Sequence, residues 1–312
     1  MPVSAENPFT AFFPGGAPEK SKMPESEKNA LLGYSGGERI RRIRFGELTV
    51  EGFSRAPVKS FWRIPELKLG FDLGWQPWEH MGTPRWFITH THMDHILALP
   101  AYAARRQMMD MAPPTVFLPA QRVSEAQALL TAFTRLDNGR LPCNFVGVRP
   151  GDEIELSREL VVTVSKTYHS VPSVGYIVWE RRKKLKEEYL SLSGPQIRDL
   201  KESGVEITYE IRFPRIAYLG DSTARALDET PDMYRADVLI TEMTFISPDV
   251  TAEMLKTAGH IHLNDIVRRQ ERFENKLIIA GHFSARYTNQ EVHARVRAAL
   301  PDMLGGRLNL WL

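Results

Sequence analysis

The sequence has 312 residues, 40 Lys and Arg against 38 Asp and Glu, a formal net charge of +2, and 43% hydrophobic residues. This is a globular composition, enough for one large α/β domain or two small ones, and it argues against a nucleic-acid coat whose basic residues dominate the chain. The lone cysteine, Cys143, excludes a disulfide framework and a thiolate-only zinc site; it is read as a half-buried strand residue in a reducing compartment.

No apolar run approaches the roughly 18 residues of a membrane span, because the best stretch, 96–104, is interrupted by Pro100. The first residues lack a basic segment followed by an apolar one, and Glu6, Glu19, Glu25 and Glu27 oppose an acid-poor transit peptide. No membrane partner is therefore expected, and the cytoplasm is the expected compartment.

Residues 1–38 are rich in Pro, Gly, Ser, Lys and Glu without a period of 2 or 3.6, which predicts a flexible tail ahead of a folded domain at 39–312. Strands are predicted at 48–53, 61–74 and 85–90, a helix at 95–109, a strand at 115–119, and a helix at 123–136 with Ser124 as its N-cap. Strands follow at 143–148, 153–156, 160–169, 174–179, 215–220, 237–243, 276–282 and 307–312, with helices at 196–203, 262–273 and 289–299. A run of strands giving way to alternation with helices occurs twice, around 45–145 and 150–312. The pattern predicts an α/β fold, an αββα sandwich of two facing mixed β-sheets with helices on the outer faces.

The strongest chemical signal is His90-Thr91-His92-Met93-Asp94-His95, directly after the apolar segment Trp86-Phe87-Ile88-Thr89. In an extended segment His90 and His92 point to one side, while Asp94 and His95 turn toward a neighbouring position as the chain enters a helix. One short segment thus feeds two adjacent metal positions. Imidazole and carboxylate donors without a thiolate suit zinc and related divalent ions at a hydrolytic centre. His169, Asp221 and His282 stand where three other apolar strands end, and complete the candidate ligands.

The segments THTHMDHILALP, KTYHSVPSVGY, YLGDST, ADVLITEMTF, GHIHLNDI and FENKLIIAGHFSARY together resemble the metallo-β-lactamase superfamily and, within it, tRNase Z, the tRNA 3′-processing endoribonucleases. GHIHLNDI and the FENK and HFSARY segments are most similar to the short plant-type branch, and the resemblance runs from about Phe45 to the C-terminus. It implies the metallo-β-lactamase fold and two Zn²⁺ per chain, with Mn²⁺ as a substitute. His90, His92 and His169 would hold one ion, Asp94, His95 and His282 the other, with Asp221 bridging. Two Zn²⁺, two carboxylates and a bridging hydroxide leave about one positive charge to attract a phosphodiester, and the ions acidify the attacking water.

The same resemblance makes Asp94 catalytic as well as a ligand. It assigns His260, 22 residues before His282, as the general acid oriented by Glu242. His262 is the other candidate donor; its alternative reading is a packed residue at the start of a helix. His80 and His293 lack a ligand-like context and are read as surface residues. Arg286 and Tyr287 are read either as phosphate or partner-subunit contacts or as braces of the His282 loop.

Between Trp179 and Gly220 lies a basic run, Arg181, Arg182, Lys183, Lys184 and Lys186. By charge alone it is a solvated face. The resemblance instead implies a short tRNA-gripping arm at about 180–210, including Gly194-Pro195, with sequence-independent phosphate contacts. Arg39, Arg41, Arg42 and Arg44 are read as an extension of the RNA track or as a solvated hinge before the first strand. The implied function is a dizinc endoribonuclease that removes 3′ trailers from precursor tRNA, acting as a homodimer. Two alternatives stay open: a hydrolase of the superfamily acting on a small phosphodiester or other ester, and a non-catalytic RNA-binding relative.

Overall fold

The computed structural model describes residues 40–312. The expected tail at 1–38 and Arg39 lie outside the described residues. One sheet takes its strands from the first half of the chain: β1 (Arg41–Phe45), β2 (Leu48–Ala56), β3 (Lys59–Ile64), β4 (Leu69–Leu73), β5 (Arg85–Phe87), β6 (Thr115–Pro119) and β7 (Asn144–Val148), in that spatial order. β1 to β4 form an antiparallel meander, and β4 to β7 run parallel. Parallel strands need cover on both faces. On the outer side it comes from α1 (Met93–Ile96), α2 (Leu99–Met108) and α3 (Val123–Asp137), which bury Trp86, Tyr102, Val116, Leu118 and Leu130.

The second sheet holds β8 (Glu153–Glu155), β9 (Leu160–Lys166), β10 (Val174–Leu185), β11 (Thr208–Tyr218), β12 (Val238–Glu242), β13 (Leu277–Gly281) and β15 (Leu308–Leu310). The two-residue strand β14 (Phe283–Ser284) pairs with β2 instead. The chain therefore crosses from one sheet to the other at His282, whose left-handed φ of 56° makes the turn. Between the sheets Trp62, Phe71, Phe87, Tyr176, Tyr218 and Trp311 form the central core. Phe87 and Phe117 stack at 4.5 Å between ring centroids, and Phe71 meets Tyr218 at 5.0 Å. Truncating a buried aromatic such as Trp62 to Ala costs about 3–5 kcal/mol at sites of this kind.

The remaining helices are α4 (Gly194–Glu202), α5 (Arg225–Glu229), α6 (Asp232–Arg235), α7 (Ala252–Ala258), α8 (Leu263–Val267) and α9 (Asn289–Ala299). The two-sheet architecture matches the sequence expectation, and several local expectations need correction. The helix expected at 95–109 is two pieces, because Ala98 donates its N–H to Leu73 O and Pro100 opens a new first turn. Ser124 is not the cap of α3; Arg122 holds that position, and Ser124 donates to Glu125. The helix at 262–273 shortens to α8 and a 3₁₀ turn at Gln270–Arg272. Helices α5, α6 and α7 were not anticipated, being too short to show a period.

The arginines 41–44 are neither a hinge nor placed before the first strand, because they lie in β1 itself. Arg41 donates to Leu310 O at 3.1 Å and Leu312 O at 2.7 Å and sits 5.0 Å from the Trp311 ring, so it ties the C-terminus to the sheet. His80 is fully buried, not on the surface. It faces Phe61 edge-on at 5.6 Å and Glu51 at 3.4 Å, and burial pushes its pKa down to about 3, which keeps the imidazole neutral. His293 is exposed, as expected.

Candidate metal centre

The seven predicted ligands come together at the ends of the strands that precede them. β5 ends at Phe87, and Ile88-Thr89 carry the chain to His90. Asp94 and His95 lie in the first turn that follows, α1. His169 follows β9, Asp221 follows β11, and His282 is the crossover residue between β13 and β14. Strand ends are where the backbone stops consuming its own hydrogen-bonding groups, so polar side chains can converge there from several directions.

The donor atoms form two triangles with a shared corner. In the first, His90 Nε2 lies 3.0 Å from His92 Nδ1, which lies 3.1 Å from His169 Nε2. In the second, His282 Nε2 lies 3.2 Å from His95 Nε2 and 3.3 Å from Asp94 Oδ2, with His95 Nε2 to Asp94 Oδ2 at 3.5 Å. Asp221 Oδ2 stands between them, at 3.7 Å from His90, 3.4 Å from His95, 3.4 Å from His282 and 4.0 Å from His169. Tetrahedral zinc with Zn–N bonds of about 2.0–2.1 Å spaces its donors by roughly 3.3 Å. Imidazole lone pairs pointed at one another at this spacing repel unless a cation or a proton lies between them. The donor set therefore fits divalent ions in both clusters.

Four of the five ligand-candidate rings, those of His90, His95, His169 and His282, are aimed by a partner behind them. His95 donates from Nδ1 to Asp72 Oδ2 at 2.7 Å, and His169 donates from Nδ1 to Gly259 O at 3.0 Å. His90 donates from Nδ1 to Thr89 Oγ1 at 3.0 Å, and Thr89 passes a hydrogen bond on to Asp72. His282 donates from Nδ1 to Thr244 Oγ1 at 3.1 Å, which in turn donates to Glu242 Oε2 at 2.5 Å. These bonds fix the tautomers and leave the forward nitrogens as acceptors.

Electrostatics follow the same plan. Burial, with neighbouring His95, holds His90 well below the ordinary imidazole range, and burial with His169 pushes His92 down to about 4. Neutral imidazoles are the ligand form. Burial opposes ionisation of Asp221, but His282, His95 and His90 outweigh it and hold the carboxyl well below its usual range. For Asp94 burial is likewise overridden by hydrogen bonds from His282 and His95. His95 departs from this plan: burial opposes its protonation, yet Asp221 and Asp72 raise its pKa well above the usual value, so an ion bound there would have to displace its proton.

Beside both clusters, His260 donates from Nδ1 to Glu242 at 3.0 Å. Burial opposes its charge, but the Glu242 carboxylate outweighs this and pushes the pKa up to about 9. Glu242 is buried and also accepts the Ser222 N–H at 2.7 Å. His262 has both ring nitrogens occupied: Nε2 donates to Ser247 O at 2.9 Å and Nδ1 accepts the Asn264 N–H at 3.0 Å as it caps α8. The helix-start reading of His262 is thus the one its contacts support. Arg286 is exposed and lies 5.8 Å from the Phe245 ring, which meets His260 edge-on at 5.9 Å. Tyr287 is buried and its carbonyl accepts from Arg55, a bracing contact.

The site includes residues that the motifs did not reveal. Asp72 is fully buried and accepts from Thr89 N, Thr89 Oγ1, Tyr218 Oη and His95 Nδ1. Its signal in the sequence is an acid inside the all-buried strand Leu69–Leu73. Thr244, Ser222 and Gly259 lie inside the segments ADVLITEMTF, YLGDST and GHIHLNDI but carried no assigned role; at Gly259, with φ +69°, a Cβ would lie 2.9 Å from His169 Cα.

The basic run lies elsewhere. β10 continues through it to Leu185, paired with β11 as far as Thr208, and α4 lies between the two strands in sequence. Arg181 is ion-paired with Glu155 and with Glu210 at 3.7 Å, and Arg182 with Glu180. Lys183 and Lys184 are exposed and Lys186 is half-buried. Between 180 and 212 the chain has eight basic and seven acidic residues, so the arm is not strongly charged as a whole.

Among the described residues no helix is long and apolar enough to cross a membrane. Residues 86–283 match the beta-lactamase superfamily domain. The chain is 40% identical over 273 residues to tRNase Z TRZ1 of Arabidopsis thaliana, covering 87% of this chain and 97% of that one. Among solved structures it shares a fold with the metallo-beta-lactamase fold protein YhfI of Bacillus subtilis, at a TM-score of 0.57 and 14% identity over 83% of this chain and 91% of that one. It likewise matches the short form of human tRNase Z (ELAC1), at a TM-score of 0.50 and 17% identity over 88% of this chain and 93% of that one. The chain therefore belongs to the tRNase Z family of the beta-lactamase superfamily.

Proposed function

We propose that this protein is a two-zinc endoribonuclease that removes 3′ trailers from precursor tRNAs. The observation that carries the reading is the convergence of two donor clusters on Asp221 Oδ2, with His95 and His282 both at 3.4 Å, beside a proton-bearing His260. Zinc ions in the two clusters would supply Lewis acidity, making a water nucleophilic near neutral pH and offsetting charge on the scissile phosphate. The chain's own residues set the geometry. Asp94 and Asp221 supply the carboxylates, which stay ionised at neutral pH.

His260 is the proton donor. Its Nδ1 is held by Glu242, so the Nε2 proton goes to the 3′ oxygen of the tRNA as the P–O3′ bond breaks and the water oxygen bonds to phosphorus. The proton lost by the water restores the imidazolium. The products are a 3′-hydroxyl on the tRNA and a 5′-phosphate on the trailer.

The arm is the proposed grip on the RNA, with Lys183, Lys184 and Lys186 as phosphate contacts and Arg181 and Arg182 tied to carboxylates beside them. β10 begins next to the metal centre, where Val174 donates to Thr89 O, and runs away from it to Leu185. At about 3.3 Å per residue along the strand, the basic run begins about 23 Å and ends about 40 Å from Val174, a separation suited to gripping the body of a tRNA whose end is cut elsewhere.

A homodimer fits this layout, with one subunit's arm serving the other's centre. It is supported by the exposed apolar side chains Met93 on α1, Leu97 between the two helices and Met108 on α2, and Leu129, Phe133 and Leu136 on α3. The cytoplasm is the proposed compartment, because a single cysteine leaves the chain without a disulfide framework. The test is cleavage of a precursor tRNA by zinc-loaded protein with both product ends mapped. Hydrolysis of a simple phosphodiester without trimming of the precursor would overturn the RNA part of the reading.

A further inference from the structure

We infer that Trp75 is a stacking platform for an unpaired nucleobase of the RNA beside the metal centre, held in position by Lys59; this rests on the reading of the protein as an endoribonuclease. Trp75 comes two residues after the carboxyl end of β4, at the same end of the sheet as the ligands after β5. The intervening Gly74 is pressed against a ligand-bearing segment. A Cβ on it would lie 1.7 Å from Asp94 O and 2.9 Å from Ser60 N, so no side chain fits and the backbone leading to Trp75 is fixed against Asp94.

An indole is among the largest apolar groups a chain can bury, yet Trp75 is 54% exposed. It is not loose. Lys59 Nζ lies 5.0 Å from its ring centroid and 4.9 Å from that of Phe53, an ammonium set between two aromatic faces. Lys59 pairs in register with Arg55, and Arg55 pairs with Phe283, the residue after His282. The Trp75–Lys59 pair is therefore next to both chain segments that feed the Asp94, His95 and His282 cluster.

An exposed indole face held in place by its neighbours matches an unpaired nucleobase, and it tolerates any of the bases because each has a π-face. Bases within duplex RNA are already stacked on each other and offer no free face. The ligand is thus an unpaired nucleotide adjoining the cleavage point. A small diester without a base makes no use of Trp75.

The test compares the wild type, Trp75→Ala and Trp75→Phe on precursor tRNA and on glycerophosphocholine, a small diester that carries no ring to stack on the indole. A single-stranded RNA carrying 2-aminopurine next to the cleavage position reports stacking by quenching. Losing one base–aromatic stack is expected to raise KM for the precursor about 5- to 150-fold in Trp75→Ala, with Trp75→Phe close to wild type. Turnover of the small diester, zinc content and oligomeric state stay as in the wild type, and the quenching disappears in Trp75→Ala. An unchanged KM with quenching retained would overturn the inference, as would a parallel loss of small-diester turnover or a change of oligomeric state. A wild type that quenches 2-aminopurine through Trp75 but leaves precursor tRNA uncut would instead sink the endoribonuclease reading, leaving the platform standing.

Discussion

Asp72 of β4 and His95 of α1 are joined at 2.7 Å, and both side chains are buried. Asp72 also holds Thr89 and Tyr218, so one carboxylate aims both the His90 and the His95 ends of the centre. Asp72→Ala is expected to weaken zinc binding about 10- to 100-fold, read by competition with a chelator. The lost acceptor also strands buried donors, each worth about 1–3 kcal/mol, so the melting temperature should fall as well. Unchanged zinc affinity would show that Asp72 acts only in folding.

Asp94 separates chemistry from binding. Its carboxylate faces His95 and His282 at the metal centre, while the basic arm lies at the far end of β10. Asp94→Ala should lower zinc per chain in elemental analysis and collapse turnover, with little change in affinity for precursor tRNA. Lost affinity with turnover preserved would contradict its role as a ligand.

His260 is expected to act as an acid, not as a ligand, although its Nδ1 lies 3.9 Å from Asp221. His260→Ala should cut kcat by about 10²- to 10⁴-fold while both zinc ions stay bound; loss of one zinc would mark it as a ligand. The sign of the pH dependence follows from its pKa of about 9: the acid form is present below that value and lost above it. Activity should therefore fall on the alkaline side. Cations bound in the two clusters would repel the imidazolium and bring that limb below 9, and Glu242→Gln, which removes the stabilising charge, should bring it lower still.

The apolar side chains of α1 to α3 supply a test of the proposed dimer. Phe133 and Leu136 are 37% and 81% exposed, and a glutamate at either position adds charge to that face. Phe133→Glu or Leu136→Glu should yield monomers in sedimentation analysis. Small-diester turnover should persist while precursor cleavage falls, because the arm would no longer be supplied by a partner. A variant that remains dimeric would remove this face from the interface.

All seven ligand candidates were legible because each lies where an apolar strand ends, a position that pattern alone exposes. The two-sheet order was legible for a similar reason, since strand runs and helix alternation repeat twice along the chain. His80 was misplaced because nothing local distinguishes a buried neutral histidine from an exposed one; Phe61 and Glu51, distant in sequence, bury it. The basic run was visible as charge, but Glu155 and Glu210, which pair with Arg181, come from separate strands.

The sequence by itself determined which residue types stand at the strand ends, and so which metals and which reaction class suit them. Periodicity and donor chemistry are local properties, readable in order along the chain. Only the tertiary structure decided that Asp221 stands within 4.0 Å of histidines from both clusters, that His262 is a cap while His260 keeps its proton, and that Trp75 stays exposed to water one residue after a Gly74 packed against Asp94. Those outcomes depend on desolvation, on charge at a few ångströms and on which strands lie side by side, and no spacing along the chain encodes them.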